Sequence, residues 1–161
     1  MSEINETTNP IVIRRWMPGD APSVEDLKDL NALLQELKAP DDPEPNLTRE
    51  SFVEYMRYTN AILFIARDMA TKHVVGMASL YVKRLMGIGL TGDVEEFVLK
   101  EEYRGRGVAE AMETTLRIAA RERGIKSLFL TSALWRTAAN KFYRRRGWTH
   151  YATNTYWLIL D

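Results

Sequence analysis

The stretch Glu95-Glu96-Phe97-Val98-Leu99-Lys100-Glu101-Glu102-Tyr103-Arg104-Gly105-Arg106-Gly107-Val108-Ala109 reads as a buried strand, a tight basic glycine turn and the start of a long amphipathic helix. Such a turn leaves backbone N–H groups unpaired at the positive end of a helix dipole, a setting that suits phosphate. Taken alone, the two glycines also admit a plain reading, in which Gly105 and Gly107 only permit a sharp strand-to-helix turn. The dinucleotide fingerprint does not fit, because a third glycine is missing and the unit lies mid-chain after antiparallel strands. The phosphate loop of nucleotide triphosphatases does not fit either, since no Gly-Lys-Ser/Thr is present.

Working outward, the following helix carries Val108, Met112, Thr115, Leu116 and Ala119 on one face and stops at Gly124, a left-handed cap. Ser127 to Thr131 reads as a short buried strand. A last helix covers 136–146 and ends at Gly147, and Trp148 through Leu160 is β-rich and closes the chain. Upstream, Ile11 to Trp16 is a strand ended by a turn at 17–20. Val24, Leu27, Leu30, Leu33, Leu34 and Leu37 give a helix with one apolar face, capped by Asp20 or Ser23. Three prolines make 39–46 a loop. Thr48 starts a second helix with Phe52, Tyr55, Met56 and Thr59 on one side. Strands at 62–67 and 74–82 flank a hairpin turn at 68–72, and Gly87-Ile88-Gly89 marks another loop. The pattern predicts a mixed α/β (α+β) fold, a mostly antiparallel central sheet of about six to seven strands flanked by about four helices. Residues 1–9 read as a flexible tail, and 10–161 as a single domain.

Composition sets bounds on function. The 22 basic and 22 acidic residues cancel, so no global field draws the chain to nucleic acid or to an anionic membrane. The absence of cysteine rules out disulfides, thiolate metal sites and a cysteine nucleophile, and suits a cytoplasmic protein. No signal peptide is visible, and no stretch approaches the roughly 20 apolar residues of a membrane span. His73 and His150 are far apart, which argues against zinc.

Wider context narrows the phosphate ligand. Arg104-x-x-Gly107-x-Ala109 after Val98-Leu99 resembles the Gln/Arg-x-x-Gly-x-Gly/Ala signature of the GNAT superfamily of N-acetyltransferases. Ala139-Asn140-Lys141-Phe142-Tyr143-Arg144-Arg145-Arg146-Gly147-Trp148 is similar to that family's Ala-x-x-x-Tyr-x-x-x-Gly-Phe segment. The two blocks lie in the family's order, and the element order over 11–160 also matches. The resemblance implies a GNAT-like fold with splayed central strands and acetyl-CoA (coenzyme A) as cofactor. Backbone N–H groups of Arg104, Gly105, Arg106, Gly107, Val108 and Ala109 then hold its pyrophosphate, and Gly107 lets phosphate approach the backbone. The side chains of Arg104 and Arg106 add charge, with a solvated surface as the competing reading. The pantetheine arm pairs with the exposed main chain of Phe97, Val98 and Leu99, as an added strand does at a sheet edge.

Acetyl transfer to an amine needs a neutral nitrogen, donors for the developing oxyanion and a proton for the departing thiolate. The resemblance implies Tyr143 as the acid, against a packing role beside Phe142, and the N–H of Val98 or Leu99 as the oxyanion donor. Glu95 and Glu96 are candidate bases. Adjacent strand residues face opposite sides, so at most one is expected to point at substrate; Glu95 aligns with the carboxylate of relatives. The family's asparagine position is Arg136 here, while Asn140 lies one turn on, so either side chain is a candidate contact for the CoA arm.

The Arg144-Arg145-Arg146 run complements the end of a helix dipole rather than marking nucleic acid. Trp135, Tyr81, Tyr156 and Trp157 are candidates for an acceptor pocket or for core. Asp41, Asp42 and Glu44 in the proline loop offer an acidic rim for a cationic amine, or a mere connector. The expected reaction is direct transfer through a ternary complex to a primary amine of a small molecule or peptide. A non-catalytic acyl-CoA sensor of the same fold is the alternative. Residues 156–160 suit either a homodimer contact or a buried strand.

Overall fold

Ser23 starts the first helix, α1 (Val24–Leu37), through a reciprocal cap. Its hydroxyl accepts from the Asp26 N–H at 3.0 Å, and Asp26 Oδ2 accepts from the Ser23 N–H at 3.0 Å, satisfying donors that a helix start leaves orphaned. Thr48 and Ser51 repeat the device at α2 (Arg49–Arg57), so Thr59 lies past that helix. The computed structural model describes residues 11–160; the tail expected over 1–9 lies outside the described residues. They fall into two compact units, one ending at Leu130 and one beginning at Thr131.

The first unit adds β1 (Ile11–Arg15), β2 (Ala61–Asp68), β3 (Val74–Leu85), β4 (Gly89–Leu99), a 3₁₀ turn at Glu101–Tyr103, α3 (Val108–Glu122) and β5 (Leu128–Phe129). The sheet runs β1-β2-β3-β4-β5. Its first three pairings are antiparallel and β4–β5 is parallel. The described residues thus give five strands and, with α4 of the second unit (Thr137–Arg145), four helices. β4 begins at Gly89, ahead of the expected strand. β5 is two residues long, and Phe129 is half exposed, because pairing reaches only Gly92↔Leu128 and Asp93↔Phe129. Trp148–Leu160 forms no strand and its last five side chains are largely exposed. This corrects the higher strand count and the buried-strand reading: β propensity expresses fit to a paired, half-buried surface, and composition alone does not supply the pairing.

One face of the sheet packs on α1 and α2 through Trp16, Leu30, Leu33, Phe52, Leu63, Ile65, Val74, Met77 and Val98, each worth roughly 1.5–3 kcal/mol when fully buried. On the other face α3 buries Val108, Met112, Leu116, Ala119 and Ala120. Gly76 makes close seating possible there: a Cβ at that position would stand 2.2 Å from Leu99 Cδ2 and 3.2 Å from Met112 Sδ. No helix among the described residues is long and apolar enough to cross a membrane.

Asp29 of α1 ties these layers to the end of β4. Its carboxylate accepts from the Val74 N–H at 2.9 Å and from Lys100 Nζ at 2.7 Å, and lies 3.0 Å from His73 Nδ1. Asp68, at the end of β2, accepts from the Tyr103 hydroxyl at 2.7 Å. Together they pin both ends of the segment Lys100–Tyr103. Burial alone would raise the Asp29 carboxyl, but the bonds from Lys100, His73 and Val74 outweigh it and hold it below 3.8. A lowered carboxylate stabilises the fold above its unfolded pKa, and that contribution disappears as pH falls below 3.8 through the folded value. Asp29→Ala strands Lys100 and the Val74 N–H, so denaturant unfolding is expected to show a loss of about 3 kcal/mol at neutral pH that shrinks on acidification.

Candidate active site

The β3–β4 ladder slips once. Ser79 pairs with Glu95 and Met77 with Val98, so Glu96 and Phe97 together face Ala78. This is a β-bulge, and Glu96 takes φ +47° to make it, a left-handed conformation that costs a side-chain-bearing residue roughly 1–2 kcal/mol. The bulge overturns strict alternation along the strand. Glu95 and Glu96 both act electrostatically on Tyr81 of β3, whereas period-two reasoning allows only one to face that side. An inserted residue cancels the alternation.

Around Glu96 stand Tyr55 of α2, and Ser79 and Tyr81 of β3. The Tyr55 hydroxyl donates to Ser79 Oγ at 2.8 Å, and Ser79 is fully buried. Tyr81 stands edge-on to Tyr55, with centroids 6.3 Å apart, and Tyr58 tilts against it at 6.2 Å. Glu96 Oε2 is buried without a hydrogen-bond partner. Burial pushes the Glu96 carboxyl up, partly offset by the Ser79 hydroxyl. Glu95 is raised by burial and by the neighbouring charges of Glu96 and Asp93, against Lys83. Burial and the Glu96 charge raise Tyr81, which therefore stays a neutral hydroxyl. A carboxyl with a raised pKa is suited to take a proton near neutrality.

Beyond the bulge, β4 has no β5 ladder, since that pairing covers only Gly92 and Asp93. The Lys100 N–H bonds the Val75 carbonyl at 2.9 Å. By antiparallel alternation the Val98 N–H also turns to β3, and the Leu99 N–H turns to the opposite edge. The Leu99 carbonyl accepts from Arg104 Nε at 3.2 Å and from its terminal amine at 3.1 Å. Arg104 also pairs with Glu36 of α1. Its guanidinium thus braces the turn, and Arg106 lies over the Tyr103 ring at 5.6 Å.

Gly105 and Gly107 have φ +70° and +79°, and a Cβ on either would meet nothing within 4 Å. Gly107 is the N-cap of α3 and provides no side-chain cap, so the N–H groups of Val108 and Ala109 are left for an external acceptor. The open, uncapped, positively polarised start of a long helix fits a pyrophosphate group.

In the second unit Arg136 is the N-cap of α4, without a side-chain cap bond. Asn140 Nδ2 donates to the Ala133 carbonyl at 3.0 Å, holding the preceding turn. Tyr143 is buried and packs edge-on against Phe142 and Trp148, at 5.4 and 5.9 Å between centroids. Trp135, Tyr156 and Trp157 are mostly exposed. In the proline loop, Asp42 accepts from the Ala39 N–H at 2.8 Å and Glu44 pairs with Lys38 at 3.3 Å, as a connector requires. Sequence reading missed the Tyr55–Ser79 pair, because Tyr55 fell on an ordinary apolar helix face. It missed Asp29 because one acid on a helix carries no pattern.

Residues 27–148 match the family model described as Acetyltransferase (GNAT) family, and the chain belongs to that family. Its members transfer acetyl groups, generally from acetyl-CoA. Among solved structures, the fold is similar to an acetyltransferase of Trypanosoma brucei, at 21% identity and TM-score 0.74, covering 93% of this chain and 100% of that one. A glucosamine-6-phosphate N-acetyltransferase from Arabidopsis thaliana shares 15% identity with TM-score 0.74, over 92% of this chain and 98% of its own. An aminoglycoside acetyltransferase from an uncultured soil metagenomic sample shares 18% with TM-score 0.77, over 96% and 100%.

The Glu96 carboxyl, with its buried and unpaired Oε2, has a sign that stability can report. Its raised pKa means that ionisation costs the folded state, and the cost sets in as pH rises from 4.5 through the folded value. Glu96→Gln keeps the shape and removes the charge. Urea midpoints are expected to place the variant near wild type at about pH 4 and above it at about pH 8.

Proposed function

We propose that the chain is an acetyl-CoA-dependent N-acetyltransferase acting on a primary amine by direct transfer in a ternary complex. The observation that carries this reading is a single strand, β4, that holds a carboxyl with one buried, unpaired oxygen at its bulge and runs on into an uncapped glycine turn. A proton acceptor and an anion site on one rigid element supply two requirements of the reaction. The family match crosses from the first unit into the second, which supports one acetyltransferase domain over 10–161.

Acetyl-CoA, when bound, supplies an acetyl group activated as a thioester. Backbone N–H groups from Gly105 to Ala109 would hold its pyrophosphate, with Arg106, over the Tyr103 ring, as the adjacent cation and Arg104 as the brace of the turn. The edge of β4 at Phe97 to Leu99 would pair with the amide-bearing arm, and the Leu99 N–H, facing that edge, would be the donor to the acetyl carbonyl. Arg136 and Asn140 are the candidate contacts from α4. Glu96 takes the proton that the acceptor ammonium must lose, with Glu95 beside it keeping the site negative. Tyr143 would give its hydroxyl proton to the departing thiolate, and the second proton that nitrogen loses as the amide forms would restore the phenol.

Three variants separate these roles. Gly107→Arg meets no steric neighbour but strains the backbone at φ +79° by roughly 1–2 kcal/mol, so circular dichroism is expected to stay native at a lowered unfolding midpoint while calorimetry shows acetyl-CoA affinity falling about a hundredfold or more. An unchanged dissociation constant in the folded variant would place the phosphate elsewhere. Tyr143→Phe is expected to lower kcat about a hundredfold at unchanged acetyl-CoA affinity, and a wild-type kcat removes its acid role. Glu96→Gln is expected to lower kcat/KM by a similar factor near neutral pH, about a hundredfold, read as thiol release. Acetyl-CoA binding without thiol release across a broad amine panel would mark an acyl-CoA sensor instead.

A further inference from the structure

The sheet face carrying Glu96 is walled by tyrosines and acids, all within the first unit. Tyr81 is its hub, touched by the rings of Tyr55 and Tyr58 and acted on by the charges of Glu96 and Glu95. Tyr58 is 55% exposed and forms the outer wall. Asp93 lies opposite Tyr81 in the ladder. The cation two residues along β3, Lys83, is already in an ion pair with Asp93 at 2.6 Å. The face thus carries three carboxylates, and its lysine, paired with Asp93, offsets Glu95 only in part.

Such a face discriminates by charge. An ammonium over a tyrosine ring gains roughly 0.5–2 kcal/mol, and a hydrocarbon or aryl stem packs well on the same rings. A phosphate or carboxylate on the ligand would meet like charge, with the local lysine already paired, and like charges at close range repel strongly away from bulk water.

We propose that this face selects the acceptor: a primary amine on an uncharged alkyl or arylalkyl stem. Glu96 and Glu95 hold its ammonium, Tyr81 and Tyr58 hold its stem, and amines bearing an anionic group are excluded. This rests on the acetyltransferase reading, and adds to it the chemical class of the substrate. Tyr58 and Tyr81 become specificity-determining residues, and the Tyr55–Ser79 pair positions Glu96 beneath them.

The test compares phenethylamine, glucosamine 6-phosphate and the amino acid glycine in two assays on the full chain, calorimetric binding and thiol release from acetyl-CoA. Phenethylamine is expected to exceed both anion-bearing amines by about tenfold or more in kcat/KM, and Tyr81→Ala to raise its KM about tenfold while Tyr81→Phe stays near wild type. Tyr58→Ala removes an exposed ring, so folding is not at issue there, and it should raise the same KM by a smaller factor. Equal or better turnover of glucosamine 6-phosphate or glycine would overturn the selection and leave the transferase reading intact. Phenethylamine binding that is weakened by Tyr81→Ala, with no thiol release, would uphold the selection and remove the transferase reading. A phenethylamine that neither binds nor reacts overturns the proposal.

Discussion

The bulge in β4 is the constraint on which the rest of the site depends. A regular strand would send Glu95 and Glu96 to opposite faces and carry an unbroken ladder to its end. One extra residue, with Glu96 at φ +47°, puts both carboxylates on the tyrosine face. A non-glycine residue held there costs roughly 1–2 kcal/mol, and a buried carboxyl oxygen without a partner costs more. Neither cost serves the fold. Strain and an unsatisfied polar group at one residue are the local inconsistencies that function leaves in an otherwise consistent sequence.

Holding such a residue in place takes a stiff surround, and the polar bonds supply it. Asp29 joins α1 to the first residue of β3 and to Lys100, the residue after β4. Asp68 holds Tyr103, and Arg104 folds back on the Leu99 carbonyl and pairs with Glu36. The result is a strand end and a glycine turn clamped from both sides, with Gly105 and Gly107 free of side-chain neighbours. Arg104 thus does for the turn what its charge was expected to do for a ligand. A guanidinium with donors fanned in one plane can bridge a carbonyl and a carboxylate at once, which a motif position alone does not reveal.

How much was legible in the sequence follows from which signals are local. Helix faces, the caps at Ser23 and Thr48, and the glycines ending α3 and α4 depend on neighbours within a turn, and they stand where periodicity and capping place them, except that Val24 at the start of α1 is exposed and Thr59 lies past α2. The glycine turn was legible for the same reason, since two positive-φ positions separated by one arginine have a short description. What sequence could not give depended on distant partners. β5 shrinks to two residues because its ladder is short, and 148–160, apolar and aromatic though it is, forms no strand. Tyr55 and Ser79 lie 24 residues apart, and no spacing rule connects them.

The two glutamates show why the distinction matters for chemistry. Alternation assigns them opposite faces, and their identities alone cannot say which works. The bulge places both on one face but in different settings: Glu96 has a buried, unpaired oxygen beside Ser79, and Glu95 is more exposed and has Lys83 and Asp93 nearby. Two neighbouring carboxyls compete to ionise, and the more exposed one yields its proton at lower cost. Burial raises both carboxyls, offset at Glu96 by the Ser79 hydroxyl and at Glu95 by the Lys83 charge, so a single inserted residue gives two adjacent acids unlike surroundings.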